Sequence, residues 1–312
     1  MHTHNEATQY TGVWPVMLTP FNDQREIDWP ALEKLVQWYL NAGVHGLFAA
    51  CQSSEMFYLS DEEARKVVRF IVEIVDGRVP VVASGHTATG ASQQQEQLSA
   101  MAQTGIDGLI LISNRLAQAD ESDAQVLSSL QQLTAALPEN IDLGIYECPY
   151  PYKRLLSDEV ISWCANSGRY TFIKDTSCSL PVMARRVRLS EGSRLHLANA
   201  NSQTLLASLR AGCQAYSGVM ANFHPELYVW LYENWRAEPH KAEQLADYLS
   251  TAALAENLDY PVCAKYYQQQ IANFSSYACR SRSSQSYASS FYPEAINSMM
   301  RLGEALKKQL SL

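Results

Sequence analysis

Two residues end consecutive apolar runs of this 312-residue sequence. Tyr146 closes "IDLGIY" (141–146), and Lys174 closes "YTFIK" (170–174) directly before the turn "DTSCS". A lysine in a solvated loop needs no such run before it, and one in mid-strand is poor core material. Delivered to the end of a buried strand, its amine is partly dehydrated, which disfavours the ammonium. At an ordinary pKa of ~10.4, about one lysine in a thousand is neutral near pH 7.5; a pKa of ~7–8 raises that fraction several-hundredfold. The neutral amine attacks a ketone, and the resulting iminium lets the bond between C3 and C4 of a 2-oxo acid break or form. Neighbouring parallel strands lie ~4.8 Å apart, so a phenol at matching depth can move a proton to or from the substrate oxygen. The plainer alternatives are a lysine paired with adjacent Asp175 and a tyrosine that fills the sheet rim.

The ends of the other apolar runs supply Thr19, "CQSSE" (51–55), His86, Ser113, Asn199 and Ser217. In "CQSSE" the hydroxyls of Ser53 and Ser54, the Gln52 amide and the backbone N–H groups suit a carboxylate. His86 and the aromatic run "YPY" (150–152) are candidates for a specificity pocket, with a helix start or rim position as the alternative for His86. Asn201, Ser202 and Gln203 are placed to read hydroxyls, and Ser202 equally suits a helix cap. Neither a His and carboxylate cluster with metal-ligand spacing nor a Walker-type or dinucleotide glycine motif occurs, so no metal and no cofactor is expected.

Eight short β-type runs, each followed by a helical pattern, must position these residues. Besides the two above they are "GVWPVM" (12–17), "VHGLFAA" (44–50), "VPVVAS" (79–84), "DGLILI" (107–112), "RLHLA" (194–198) and "AYSGV" (215–219). Their continuous apolar character suits strands covered on both faces. Helix starts are expected at Asp28, at Ser60 with Glu63 in capping-box spacing, and near Ser92, Ser122, Ser157, Leu180, Ser202 and Pro225. The alternation predicts an α/β fold, a (β/α)8 TIM barrel over 1–235, with an additional C-terminal helical extension over 236–312 packed on it. In such a barrel the chemistry sits at the C-terminal ends of the strands.

Composition excludes several classes. The chain is 47% hydrophobic and 18% charged with net charge −8, which disfavours nucleic acid and anionic membrane as partners. No run approaches membrane-span length. Seven scattered cysteines without a CxxC, and a polar N-terminus without a signal core, lead us to expect a cytoplasmic protein with reduced thiols. His2 and His4 are read as part of a frayed terminus rather than as metal ligands.

With these residues in place, the sequence resembles the dihydrodipicolinate synthase/N-acetylneuraminate lyase family of Schiff-base barrels. "GVWPVMLTPF" (12–21) is similar to its opening G-x-x-x-P-x-x-T-P-F, "CQSSEMFYLSDEE" stands at G-[ST]-T-G-E-x-x-x-L-[ST]-x-E-E, "GIYECP" at Y-N-x-P, and "FIKDTS" at the lysine segment. A weaker echo follows in "YPVCAKYY" (260–267). The resemblance implies Lys174 as imine-forming nucleophile, Tyr146 as proton shuttle, and Ser53 as the hydroxyl that contacts the substrate carboxylate and links to that tyrosine. It further implies pyruvate as the 2-oxo acid, with Gln52, Ser54, Ala200, Ser217 and His86 around it, and a homotetramer built as a dimer of dimers.

Departures narrow the activity. Both glycines of the G-[ST]-T-G-E loop are lost, and Gln52 replaces its first hydroxyl. Pro151 stands where lysine-pathway synthases carry an arginine, and Ser113 falls near the tyrosine they share between subunits. "ANSQ" (200–203) lacks both carboxylates of the sialic acid lyase segment. The expected function is therefore a lyase, a class I aldolase that cleaves a 2-oxo-3-deoxy acid to pyruvate and an aldehyde, with Tyr146 expected to deprotonate the hydroxyl that becomes the aldehyde. The alternatives are an imine-dependent dehydratase or dihydrodipicolinate synthase-like enzyme, and an inactive barrel that binds a 2-oxo acid.

Overall fold

The computed structural model describes residues 10–312; the reading of His2 and His4 lies outside them. Eight parallel strands form one sheet: β1 (Gly12–Val13), β2 (Leu47–Phe48), β3 (Val81–Ala83), β4 (Gly108–Ile112), β5 (Asp142–Tyr146), β6 (Tyr170–Asp175), β7 (His196–Asn199) and β8 (Ala215–Tyr216). Their spatial order is β1-β8-β7-β6-β5-β4-β3-β2. The last seam closes where Val16 bridges Phe48, whose N–H donates to the Pro15 carbonyl at 3.0 Å. The result is a (β/α)8 barrel. "GVWPVM" shortens to a two-residue strand because Pro15, facing β2, has no N–H to give the ladder.

Helices α1 (Trp29–Asn41), α2 (Asp61–Val75), α3 (Ala91–Ala102), α4 (Asp123–Ala136), α5 (Asp158–Ser167), α6 (Leu180–Leu189), α7 (Leu205–Arg210) and α8 (Pro225–Asn234) surround the strands. Asp28 caps α1, Ser60 and Glu63 form the expected capping box on α2, and Ser122 and Ser157 cap α4 and α5. Two starts differ. Helix α3 begins after Gly90, ahead of Ser92, and α7 begins after Thr204. Ser202 is no cap: its hydroxyl bonds the phenols of Tyr216 and Tyr228 at 2.7 and 2.8 Å, two buried rings that need a polar partner. Beyond the barrel, α9 (Pro239–Ala252) packs on α7 and α8, and α10 (Val262–Gln270) packs on α11 (Tyr292–Leu310).

Strand parity sorts the side chains. Ile110, Ile112, Phe172, Ala198 and Ala215 fill the barrel interior with Trp14 and Phe48. Leu109, Leu111, Leu143, Ile145, Ile173 and Leu197 belong to the separate core under the helices. Gly144 belongs to the inner row, where an added Cβ would come within 2.7 Å of the Phe172 carbonyl oxygen. On β6 the same alternation sends Lys174 to the interior and Asp175 outward, where Arg186 of α6 pairs with it.

Candidate active site

A cavity of about 360 Å³ opens at the C-terminal ends of the strands, and Lys174 and Tyr146 both line it. Lys174 is 3% exposed. Its Nζ lies 4.3 Å from the centroid of the Tyr146 ring and 5.8 Å from that of Phe48. Asp175 is not its partner, since that carboxylate takes Arg186 and both the N–H and hydroxyl of Ser177. Burial lowers the Lys174 pKa to about 8, against smaller opposing pulls from Cys51, Cys148 and Glu256. At that pKa roughly a quarter of the amine is neutral near pH 7.5. The same burial holds the Tyr146 phenol well above its ordinary value, so it stays protonated.

The loop after β2 supplies the polar wall. Gln52 and Ser53 line the cavity. The expected link between Ser53 and Tyr146 is corrected: the Tyr146 hydroxyl lies 3.5 Å from Gln52 Oε1, whereas Ser53 Oγ accepts from the Tyr260 hydroxyl at 2.8 Å. With one lone pair so occupied, the Ser53 proton is left to donate. Ser54 does not line the cavity. Its Oγ accepts from the Cys51 N–H at 2.8 Å and donates to the Cys51 carbonyl at 2.7 Å, closing the loop on itself. Glu55 sits at φ 58° and meets buried Lys265 of α10 at 2.5 Å. Burial alone would raise the Glu55 pKa, but the Lys265 charge and the Ser281 N–H bring it below the carboxylate norm.

Of the remaining candidates, Ala200 lines the cavity and His86 and Ser217 do not. His86 is fully buried, with Nε2 2.7 Å from Gln94 Oε1 and Nδ1 accepting the Ile112 N–H at 3.2 Å. Gly85 precedes it at φ 82° and turns the chain, so strand parity no longer aims His86 inward. Ser217 is buried, with no hydrogen-bond partner for its Oγ among the described residues. Ser113 donates to the Arg154 carbonyl at 2.6 Å, and Asn199 bonds Thr204 and Ser208.

Sequence reasoning missed two groups. The first comes from the C-terminal region: Glu256, Tyr260, Ser281 and Arg282 all line the cavity. Glu55 holds that region in place by accepting the N–H groups of Arg280 and Ser281 at 2.8 and 2.6 Å, and Arg280 pairs with Glu63 at 2.9 Å. The Ser-rich stretch "SYACRSRSS" thus begins against the mouth. The signal for Tyr260 and Lys265 was present in "YPVCAKYY". The second group is a fully buried ion triad in which Arg186 joins Asp175 and Glu147. Glu147 also accepts the N–H groups of Leu156 and Thr176 at 2.7 and 2.9 Å, so the triad ties together the segments that follow Tyr146 and Lys174. An amine whose pKa is lowered to about 8, a phenol ring against it and a hydroxyl donor on the same cavity wall are suited to carbonyl chemistry.

Comparison with known proteins agrees with this architecture. The model of the family described as "Dihydrodipicolinate synthetase family" matches residues 9–280. A 4-hydroxy-tetrahydrodipicolinate synthase from Magnetococcus marinus is 28% identical over 227 residues, covering 72% of this chain and 75% of that protein. An Escherichia coli protein named "Putative 2-dehydro-3-deoxy-D-gluconate aldolase YagE" is 26% identical over 234 residues, covering 74% of this chain and 76% of its own. Among solved structures, YagE in complex with pyruvate superposes with TM-score 0.83 at 23% identity, covering 96% of this chain and 99% of that one. The Acinetobacter baumannii dihydrodipicolinate synthase with pyruvate gives 0.84 at 18% identity, covering 95% and 99%. At these identities the superpositions speak to the fold.

Proposed function

Because the chain belongs to the dihydrodipicolinate synthetase family, whose members are lyases and synthases, we propose that it is a pyruvate-dependent class I aldolase. The substrate is a 2-oxo-3-deoxy acid, cleaved to pyruvate and an aldehyde or formed from them. One observation carries this reading: the buried Lys174 amine makes no hydrogen bond or ion pair among the described residues and faces a cavity beside the Tyr146 ring. Lys174 adds to the C2 ketone and loses water to give the iminium. Tyr146 passes a proton to and from the departing oxygen, and Ser53 with the Gln52 amide binds the carboxylate. In cleavage, the C3–C4 electron pair moves into the iminium, leaving an enamine and releasing the aldehyde. Lys153 on the cavity wall, bonded to the Thr176 carbonyl rather than to a carboxylate, favours an acidic substrate, whereas Arg282 is already paired with Asp259. A dimer-of-dimers tetramer belongs to the same proposal.

A second reading has one observation in its favour: Gln52 stands in "CQSSE" where the resembled family loop carries a hydroxyl. A barrel altered there would bind a 2-oxo acid without turning it over. Incubation with a panel of 3-deoxy-2-oxo sugar acids, followed by assay of released pyruvate, separates the two. Pyruvate release from at least one member, lost in Lys174→Ala, supports the aldolase. Imine formation without release from any member favours the binder.

A further inference from the structure

The hydrogen-bond paths from the Tyr146 and Ser53 hydroxyls do not lead a proton out. The Tyr146 oxygen meets Gln52 Oε1 at 3.5 Å, and Cys148 Sγ shares that acceptor at 3.7 Å. An amide oxygen accepts a hydrogen bond but does not take up or pass on a proton near neutral pH. The Ser53 path runs to Tyr260 and then to Asn222, whose Nδ2 donates to the Tyr260 hydroxyl at 3.0 Å, so it too ends on an amide.

Glu256 lies on the short 3₁₀ turn Ala253–Asn257 after α9 and lines the same cavity as Lys174. The buried acids near the mouth are committed, Glu55 to Lys265 and both Glu147 and Asp175 to Arg186. The Glu256 carboxylate makes no hydrogen bond or ion pair among the described residues. The residue is exposed, so it connects the cavity wall to solvent where the Tyr146 and Ser53 paths end on amides. Partial desolvation at the cavity wall raises its pKa, against a smaller pull from Lys174.

We propose that Glu256 is the general acid–base of the carbon–carbon step, a role that rests on the imine reading above. Its carboxylate takes the proton of the substrate C4 hydroxyl as the C3–C4 bond breaks. The electron pair of that bond becomes the enamine, and C4 leaves as the aldehyde. The protonated Glu256 then delivers its proton to enamine C3, restoring the iminium, and one water hydrolyses it to pyruvate and free Lys174. The balance needs no further reactant.

The test needs only pyruvate, because protonation of C3 runs in both directions. In D2O the wild-type protein should exchange the pyruvate methyl protons for deuterium, followed by NMR, and Lys174→Ala should not. Glu256→Gln should retain the borohydride-trapped adduct on Lys174 while its exchange falls about a hundredfold. Glu256→Asp, which keeps the carboxylate, should recover part of the rate. Wild-type exchange in Glu256→Gln overturns the assignment and leaves the imine reading standing. So does loss of the adduct together with exchange in that variant, since a C3 proton carrier acts after the imine forms. Absence of any adduct on the wild-type protein overturns both readings.

Discussion

Tyr146 and Lys174 are register partners on adjacent parallel strands, and the amine of one sits 4.3 Å from the ring centroid of the other. The ring therefore serves as a dry wall for the amine as well as carrying the phenol. It supplies part of the burial that lowers the Lys174 pKa to about 8 and places a hydroxyl near any oxygen leaving the imine carbon.

Separating those two roles predicts the behaviour of Tyr146→Phe. The ring and its packing remain, so imine formation with pyruvate persists, though slower. Turnover should fall by about 10²–10⁴-fold, the usual worth of a positioned proton donor. Steady-state pyruvate release measured beside single-turnover trapping checks this. Full turnover in the variant would remove Tyr146 from proton transfer.

Lys174 should cost the fold stability. Its pKa of about 8 lies below the ordinary lysine value, so the folded state disfavours the charged form. Lys174→Met should accordingly be more stable at pH 7, by at most roughly 3 kcal/mol. In the wild-type protein the unfolded chain binds the extra proton between about pH 8 and ~10.4, so its stability relative to the variant rises with pH across that window. Denaturant melts at pH 7 and pH 10 measure the difference; an unchanged gap would mean that the amine is not dehydrated.

Ser53 is the carboxylate donor of the proposal, positioned by the Tyr260 hydroxyl. Ser53→Ala removes one charge-assisted hydrogen bond, worth roughly 1.5–3 kcal/mol. KM for the 2-oxo acid should rise about 10–100-fold, with a smaller change in kcat. A change confined to kcat would place Ser53 in the chemical step instead.

Arg186 should matter through position alone, since it touches the loops and not the cavity. Arg186→Met leaves Glu147 and Asp175 buried without their cation, a loss of roughly 3–5 kcal/mol by analogy with other broken buried pairs. Burial already pushes the Glu147 carboxyl up, and removing the guanidinium pushes it higher. A carboxyl raised in the folded state destabilises as pH climbs above its unfolded value near ~4. The deficit should thus be smaller at pH 4.5 than at pH 7, as read by thermal melts at both.

The barrel was legible because its signal is local. Each apolar run and each cap, such as Ser60 with Glu63, is written in a few neighbouring residues, and the strand ends holding Tyr146 and Lys174 follow from their order. Direction was harder to read. His86 ends a run just as Lys174 does, but a left-handed Gly85 turns it toward Gln94. Ser54 and Ser53 are adjacent hydroxyls of one type, yet only Ser53 lines the cavity. Glu256 and Arg282 were invisible because helix packing and the Glu55–Lys265 pair bring them to the mouth from far along the chain. Arg186 reads as one of several charges on α6 until the buried acids opposite it are known.

The decisive measurement is reduction of the protein with borohydride in the presence of pyruvate, followed by mass mapping of the peptides. A single reduced pyruvyl adduct on Lys174, absent in Lys174→Ala and absent without pyruvate, is the expected result. A folded protein that gains no mass, or gains it on another lysine such as Lys153 or Lys265, would contradict an imine at Lys174 and leave only the barrel.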